Sequence, residues 1–113
     1  NAANARFLAL LAELDRRGGW AEWGVKSCAH WLNWKCGIDL GAAREKVRVA
    51  RALPGLPRVA AAMAEGRLSY AKVRAVTRVG TPANEDYLLN IALHGTASHV
   101  VSVARGYHRA LDA

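Results

Sequence analysis

Residues 27–53, SCAHWLNWKCGIDLGAAREKVRVARAL, decide the fold because they hold two helical segments separated by a short turn. Ser27 is a natural N-cap, since its hydroxyl can accept an amide of the first helical turn. Gly37 supplies the left-handed residue that commonly ends a helix. Asp39 or Gly41 then opens a second helix that extends to about Leu53. A short helix, a tight turn and a second helix are the layout of a helix-turn-helix pair.

The rest of the chain carries the same kind of helical period and helix punctuation. A first helix is expected to end at Gly18-Gly19, and Thr81-Pro82 to start a late one. We predict an all-α fold, a compact array of about seven short helices in one domain spanning residues 1–113. Outside the central pair, the expected helices cover residues 3–17, 57–66, 69–80, 81–95 and 96–113.

Composition restricts the class of protein. The chain has 113 residues, of which 52% are hydrophobic, and its longest purely apolar run covers residues 59–64. This run is far below the roughly 20 residues that a bilayer span needs, so we expect no membrane segment. Cys28 and Cys36 are too far apart on one helix to bridge, which predicts reduced, buried thiols and a cytoplasmic protein. The start without Met and the helical pattern at Ala113 suggest a fragment of a longer protein.

Positive charge is concentrated in the middle of the chain. The formal net charge is +7, and residues 41–80 hold nine basic and two acidic side chains, which is 9 − 2 = +7. A coding bias that favours arginine does not explain this localisation. A surface that binds nucleic acid or another polyanion would explain it, and an ordinary solvated face remains the alternative.

The second helix of the pair carries an arginine stripe. Arg44, Arg48 and Arg51 fall within about 60° of one another on a helical wheel, beside an apolar face that includes Val47. Such a row suits contacts to phosphates and to guanine, although Lys46 stands where a well-formed motif prefers an apolar residue. Phosphate contact, base reading and simple surface arginines stay open. The candidate nucleic-acid-binding residues are Arg44, Lys46, Arg48, Arg51, Arg67, Arg74 and Arg78.

Other conspicuous residues have simpler interpretations. Four tryptophans, at positions 20, 23, 31 and 34, could stack unpaired bases, but a core role is favoured. His94 is expected to be structural at a helix end. No histidine or cysteine spacing is typical of a metal site, and no phosphate loop or nucleophile elbow is present. We therefore expect no cofactor, no metal and no catalytic residue in this chain.

The order of several short elements resembles a known family. These elements are the Trp-Leu pair at 31–32, Arg-Val-Ala-Arg-Ala-Leu at 48–53, Leu-Pro at 56–57 and Gly-Arg-Leu-Ser-Tyr at 66–70. The chain resembles the actinobacterial domain of unknown function DUF222, also described as a repeat-family protein, which typically precedes a C-terminal HNH endonuclease module. The resemblance implies a parent similar to a metal-dependent HNH nuclease. Because this chain has no His-Asn-His element, no catalytic role carries over to its residues.

Together these observations predict a non-catalytic DNA-binding accessory domain of an HNH-endonuclease-like protein, whose partners are DNA and the nuclease module of the parent chain. The alternative is a domain that forms a homodimer or packs on the nuclease module without touching DNA. This alternative rests on the nearly neutral last third, with Leu88, Leu89, Ile91 and Leu93 close together.

Overall fold

The computed structural model describes residues 2–18, 20–21, 24 and 27–112, and within these ranges it contains seven α-helices and no strand. The prediction of an all-α fold with about seven helices is therefore confirmed. A 3-10 turn at Leu53–Gly55 follows the third helix. The helices are α1 (Ala2–Arg17), α2 (Cys28–Cys36), α3 (Leu40–Ala52), α4 (Pro57–Ala64), α5 (Tyr70–Val76), α6 (Glu85–His94) and α7 (Ala97–Asp112).

The central helix pair has the boundaries that its capping residues predict. The Ser27 hydroxyl accepts the His30 amide at 3.2 Å. Gly37 lies in the left-handed region at φ +67°, and its amide donates to the Asn33 carbonyl at 3.1 Å. The Asp39 carboxylate accepts the Gly41 amide at 3.1 Å and so opens α3. Local hydrogen bonds thus fix α2, the turn and α3.

The expected helix over residues 69–80 is too long. In the structure α5 ends at Val76, and the Thr77 hydroxyl donates to the Arg74 carbonyl at 3.1 Å. The Val79 amide then bonds the Val76 carbonyl three residues back, so the chain tightens into turns instead of continuing the helix. Gly80 follows these turns and does not itself end the helix.

The expected helix start at Thr81 is also wrong. Thr81 and Asn84 close a turn in which the Thr81 amide donates to Asn84 Oδ1 at 2.6 Å and the Asn84 amide donates to the Thr81 carbonyl at 3.1 Å. Threonine followed by proline suits both a helix start and a turn. Here it forms the turn, and α6 begins at Glu85.

The chain forms two compact units, and its organisation as one domain over residues 1–113 stays a prediction. One unit, Arg6–Arg51, contains most of α1 with α2 and α3. Its buried side chains include Leu8, Leu11, Leu32 and Val47.

The other unit comprises Asn1–Ala5 and Ala52–Ala113. In it α5 packs against α7 and α4 packs against α6. Its buried side chains include Met63, Val73 and Val100. No helix in the described part of the chain is long and apolar enough to cross a membrane.

A buried carboxylate joins α6 to the start of α4. Glu85 is only 6% exposed, and its Oε2 atom accepts the amides of Arg58 at 2.8 Å and Val59 at 3.0 Å. Amides in the first turn of a helix have no partner within the helix, and a negative charge is favoured there. Glu85 therefore acts as the cap of α4 from a distant part of the sequence.

Candidate functional site

The three arginines predicted on α3 line one recess in the first unit. The recess has a volume of about 300 Å³, and the first turn of α2 lines it together with the arginines of α3. We call it the arginine recess. Its lining residues are Ser27, Cys28, Ala29, Arg44, Val47, Arg48 and Arg51.

Arg51 is held at the recess by a carboxylate from α1. Its Nε atom donates to Asp15 Oδ2 at 2.6 Å and its Nη2 atom donates to Asp15 Oδ1 at 2.9 Å. This fork is the geometry in which a guanidinium binds a carboxylate most strongly. The Arg51 side chain is 63% exposed, whereas Asp15 is 12% exposed. The hydrogen bond to Asp15 raises the pKa of Arg51, so this side chain stays cationic and fixed.

Arg48 pairs with a carboxylate of its own helix. Its Nε atom donates to Glu45 Oε2 at 2.8 Å, and its Nη2 atom lies 3.3 Å from Oε1. Arg44 is exposed and makes no ion pair with a carboxylate of the described residues. The three guanidiniums and the two paired carboxylates together carry 3 − 2 = +1. The expected row of outward arginines is thus partly neutralised, and Arg44 carries the uncompensated charge.

The N-terminal turn of α2 also lines the recess. Ser27 caps this turn, and its hydroxyl oxygen lies 2.7 Å from Nδ1 of His30. Amides of a first helical turn point out of the helix, and the helix dipole places roughly half a positive charge at this end. The N-terminus of α2 therefore adds partial positive charge to the recess.

The Cys28 thiol lies inside this environment and is chemically quiet. It is 1% exposed, and burial, followed by the negative charge of Asp15, raises its pKa to about 11. The thiol is therefore protonated at neutral pH and is a poor nucleophile. Cys36 is exposed, so the expectation that both thiols are buried holds only for Cys28.

Lys46 does not belong to the arginine recess. At 100° per residue it lies about 200° from Arg44 around α3, between the buried Val49 and Ala50. It is half-buried on this apolar side. This position agrees with the expectation that Lys46 stands where the motif prefers an apolar residue, and its role as a nucleic-acid-binding residue stays a prediction.

The second basic row lies in the other unit. Arg67 sits between α4 and α5, 3.4 Å from the carboxylate of Glu65. Arg74 is exposed on α5, while Arg78 lies in the turns beyond the end of that helix. The expected i, i+4 row on one helix is therefore interrupted, since α5 ends at Val76.

The tryptophans divide between the two interpretations. Trp20 and Trp31 are partly buried, as a core role predicts, and their indole Nε1 atoms are buried without a partner among the described residues. Trp34 is 57% exposed, with the Lys35 ammonium 5.6 Å from its ring centre, so it is not a core residue. Trp23 lies outside the described residues.

Several charged residues that organise the structure have no signal in the sequence. Asp15 is 36 positions from Arg51, and Glu85 is 26 from Val59, so neither contact follows from helical spacing.

His94 is the last residue of α6, and its Nδ1 atom donates to the Asn90 carbonyl at 2.8 Å, in keeping with a structural role. In the described part of the chain, no three metal-binding side chains lie close enough to share an ion.

Comparison with known proteins leads to one family. A search found no match among curated proteins and none among solved structures. The family model described as "Domain of unknown function (DUF222)" matches residues 1–91, which is most of the chain and includes the arginine recess. The resemblance seen in the short sequence elements is confirmed, and the chain belongs to this DUF222 family.

Proposed function

We propose that this chain is a non-catalytic, nucleic-acid-binding accessory domain that holds DNA phosphates at the arginine recess. The observation that carries the proposal is the convergence of Arg44, Arg48 and Arg51 around one recess at the N-terminus of α2. In this proposal the parent is an HNH-endonuclease-like protein of the cytoplasm, and its C-terminal module performs the chemistry.

The charge at the recess supports one phosphate rather than a long row. Asp15 and Glu45 each pair with one of the arginines, and a net charge of +1 remains, together with the α2 dipole. A phosphodiester carries one negative charge, which matches this balance. Arg67, Arg74 and Arg78 are exposed in the other unit and stay candidate phosphate contacts of that unit alone.

Salt dependence of duplex binding tests the proposal. Each neutralised phosphate contributes about −0.9 to the slope of log affinity against log salt on B-form DNA. We expect binding to a random-sequence duplex to weaken steadily between about 50 and 200 mM salt, as measured by fluorescence anisotropy. Replacing Arg44 by Gln should reduce the steepness of the slope by about 0.9.

A matched control separates the recess from net charge. Arg105 is exposed on α7 and does not line the recess, so Arg105→Gln removes the same charge elsewhere. We expect it to leave the slope nearly unchanged. Equal losses from the two variants would contradict a recess-centred site, and absence of duplex binding at low salt would overturn the proposed function.

A second candidate is an interaction domain that forms a homodimer or packs on the nuclease module. Tyr87 on α6 is 61% exposed and favours this role. Its neighbour Leu88 is buried, however, so α6 offers a smaller apolar surface than its sequence suggests. Light scattering tests this candidate: a dimer that Tyr87→Ser dissociates, combined with no DNA affinity, would favour it over the first.

A further inference from the structure

Helix α1 carries an apolar stripe that remains partly exposed. Phe7, Leu10 and Leu14 fall within about 60° of one another at 100° per residue. Leu10 is 67% exposed, the highest fraction among the large hydrophobic side chains of the described residues, and Phe7 and Leu14 are half-buried. The buried Leu8 and Leu11 lie to one side of these three residues. We call Phe7, Leu10 and Leu14 the α1 stripe.

The spacing of the α1 stripe is that of a seam between two helices. Its residues are separated by three and then by four positions. This is the repeat with which two helices pack knobs into holes along their length. A helix that lies along α1 would therefore cover all three side chains of the stripe.

Charges beside the α1 stripe restrict which helix fits. Arg6 and Glu13 are seven positions apart, so they lie on the same flank of the stripe. Arg6 is exposed, and the Glu13 side chain is 40% exposed. When two copies of α1 pair antiparallel and Phe7 of one copy packs on Leu10 of the other, Arg6 of each copy lies beside Glu13 of the other. A two-fold axis makes this contact twice, so the flank is complementary to itself.

A parallel pair of copies is disfavoured by charge. Arg17 continues the stripe one helical turn after Leu14, and a parallel pair would place it against Arg17 of the other copy. An antiparallel pair separates these two arginines. There Arg17 keeps its bond to Glu13 of its own chain, whose Oε1 atom lies 2.6 Å from Arg17 Nε.

The length of α1 sets the strength of the contact. The helix has 16 residues and is about 24 Å long. One helix pair of this length gives a smaller interface than the roughly 800 Å² per partner of a standard stable complex. Association through the α1 stripe should therefore be weak and dependent on concentration.

From this pattern we infer that the α1 stripe is an interface between two copies of this chain, which pair antiparallel through α1. The inference goes beyond the proposed function, because phosphate binding at the arginine recess neither requires nor excludes it. It also differs from the second candidate function, in which Tyr87 on α6 forms the homodimer.

Sedimentation equilibrium over protein concentrations up to about 1 mM tests the interface. We expect the wild type to approach the mass of a dimer at the upper end. Leu10→Ser should weaken association at least about tenfold, because each dimer loses the burial of two leucines. Tyr87→Ser removes an exposed apolar side chain of α6 and should leave association unchanged. A monomer at every concentration, or equal losses from the two variants, would overturn the inference.

A charge-reversal pair tests whether the partner is a second copy. Arg6→Glu gives a chain with two acidic flank residues, and Glu13→Arg gives one with two basic flank residues. Each variant alone should dimerise less than the wild type, because like charges then face each other. An equimolar mixture should recover the association of the wild type, since opposite charges meet at both contacts. A mixture that associates no better than its components would contradict the antiparallel pairing.

Two further measurements separate this inference from other causes. Circular dichroism checks that Leu10→Ser, Arg6→Glu and Glu13→Arg remain folded. Duplex binding by Leu10→Ser reports on the proposed function alone, because Leu10 does not line the arginine recess. A monomeric wild type that binds duplex would overturn the α1 interface and leave the proposed function standing.

Discussion

Arg51 on α3 donates two hydrogen bonds to Asp15 on α1, and this fork joins residues 36 positions apart at the edge of the arginine recess. The pair fixes a cation beside the candidate phosphate site while neutralising its charge. Its effect on stability and its effect on ligand binding should therefore have opposite signs.

Replacing Asp15 by Asn should lower stability and strengthen anion binding. The lost ion pair has an exposed arginine, so we expect a decrease of about 0.5–1 kcal/mol in the free energy of unfolding, measured in urea. The charge at the recess rises from +1 to +2, which should tighten duplex binding several-fold at low salt. Glu13→Gln, which removes a carboxylate paired with Arg16 and Arg17 outside the recess, is the control. Weaker DNA binding by Asp15→Asn would contradict the proposed site.

The buried carboxylate of Glu85 should contribute strongly to the stability of the unit that contains α4 to α7. Replacement by Ala leaves two first-turn amides of α4 without their acceptor, which should cost about 1–3 kcal/mol in the free energy of unfolding. Asp86→Ala is the matched control, since Asp86 is exposed and pairs with Arg58 at the surface. We expect it to cost at most about 0.5 kcal/mol. Similar losses in the two variants would argue against the capping role.

The two thiols should react very differently. In the folded protein Cys36 is exposed and Cys28 is buried, so a disulfide reagent at mild pH should modify one thiol quickly and the other only after denaturation. Rapid modification of both thiols in the native protein would show that the first turn of α2 opens readily.

Alkaline pH should destabilise the protein through Cys28. Its folded pKa of about 11 lies above its usual value of 9.0, so the stabilising contribution is complete below pH 9 and is lost as the pH rises toward 11. Two pKa units correspond to about 2–3 kcal/mol. We expect urea unfolding to show a smaller loss over this range in Cys28→Ala than in the wild type. Parallel pH profiles for the two proteins would contradict this origin.

Two glycines should respond to alanine in opposite ways. Gly37 has φ +67°, where an alanine is strained, so Gly37→Ala should cost about 1 kcal/mol. Gly106 lies within α7 at an exposed position, with open space where the methyl group of an alanine would lie, so Gly106→Ala should stabilise by about 0.5–1 kcal/mol. Thermal unfolding of the two variants compares these effects directly, and a lower melting temperature for Gly106→Ala would contradict the second expectation.

Local chemistry explains which parts of the fold the sequence could predict. Ser27, Gly37 and Asp39 act through hydrogen bonds to residues within a few positions, so the boundaries of α2 and α3 follow from the sequence. Thr81-Pro82 is compatible with a turn and with a helix start. The two hydrogen bonds between Thr81 and Asn84 stabilise the turn.

The candidate site was only half predictable. Helical spacing places Arg44, Arg48 and Arg51 on one side of α3, and the structure shows them around one recess. The partner of Arg51 could not be predicted, because Asp15 approaches it only after α1 and α3 have packed. Charge counting along the chain overestimates the available positive charge for the same reason.

Two hydrogen bonds stabilise the turn between α2 and α3, since the Asn33 side chain donates to the Ile38 carbonyl at 2.7 Å and the Asp39 carboxylate accepts the Gly41 amide at 3.1 Å. These bonds fix the turn that joins the two helices lining the recess, so we expect the shape met by an incoming molecule to be set before it binds. Substitutions in the recess that keep its charge should therefore change the rate of encounter little and act mainly on the lifetime of the complex.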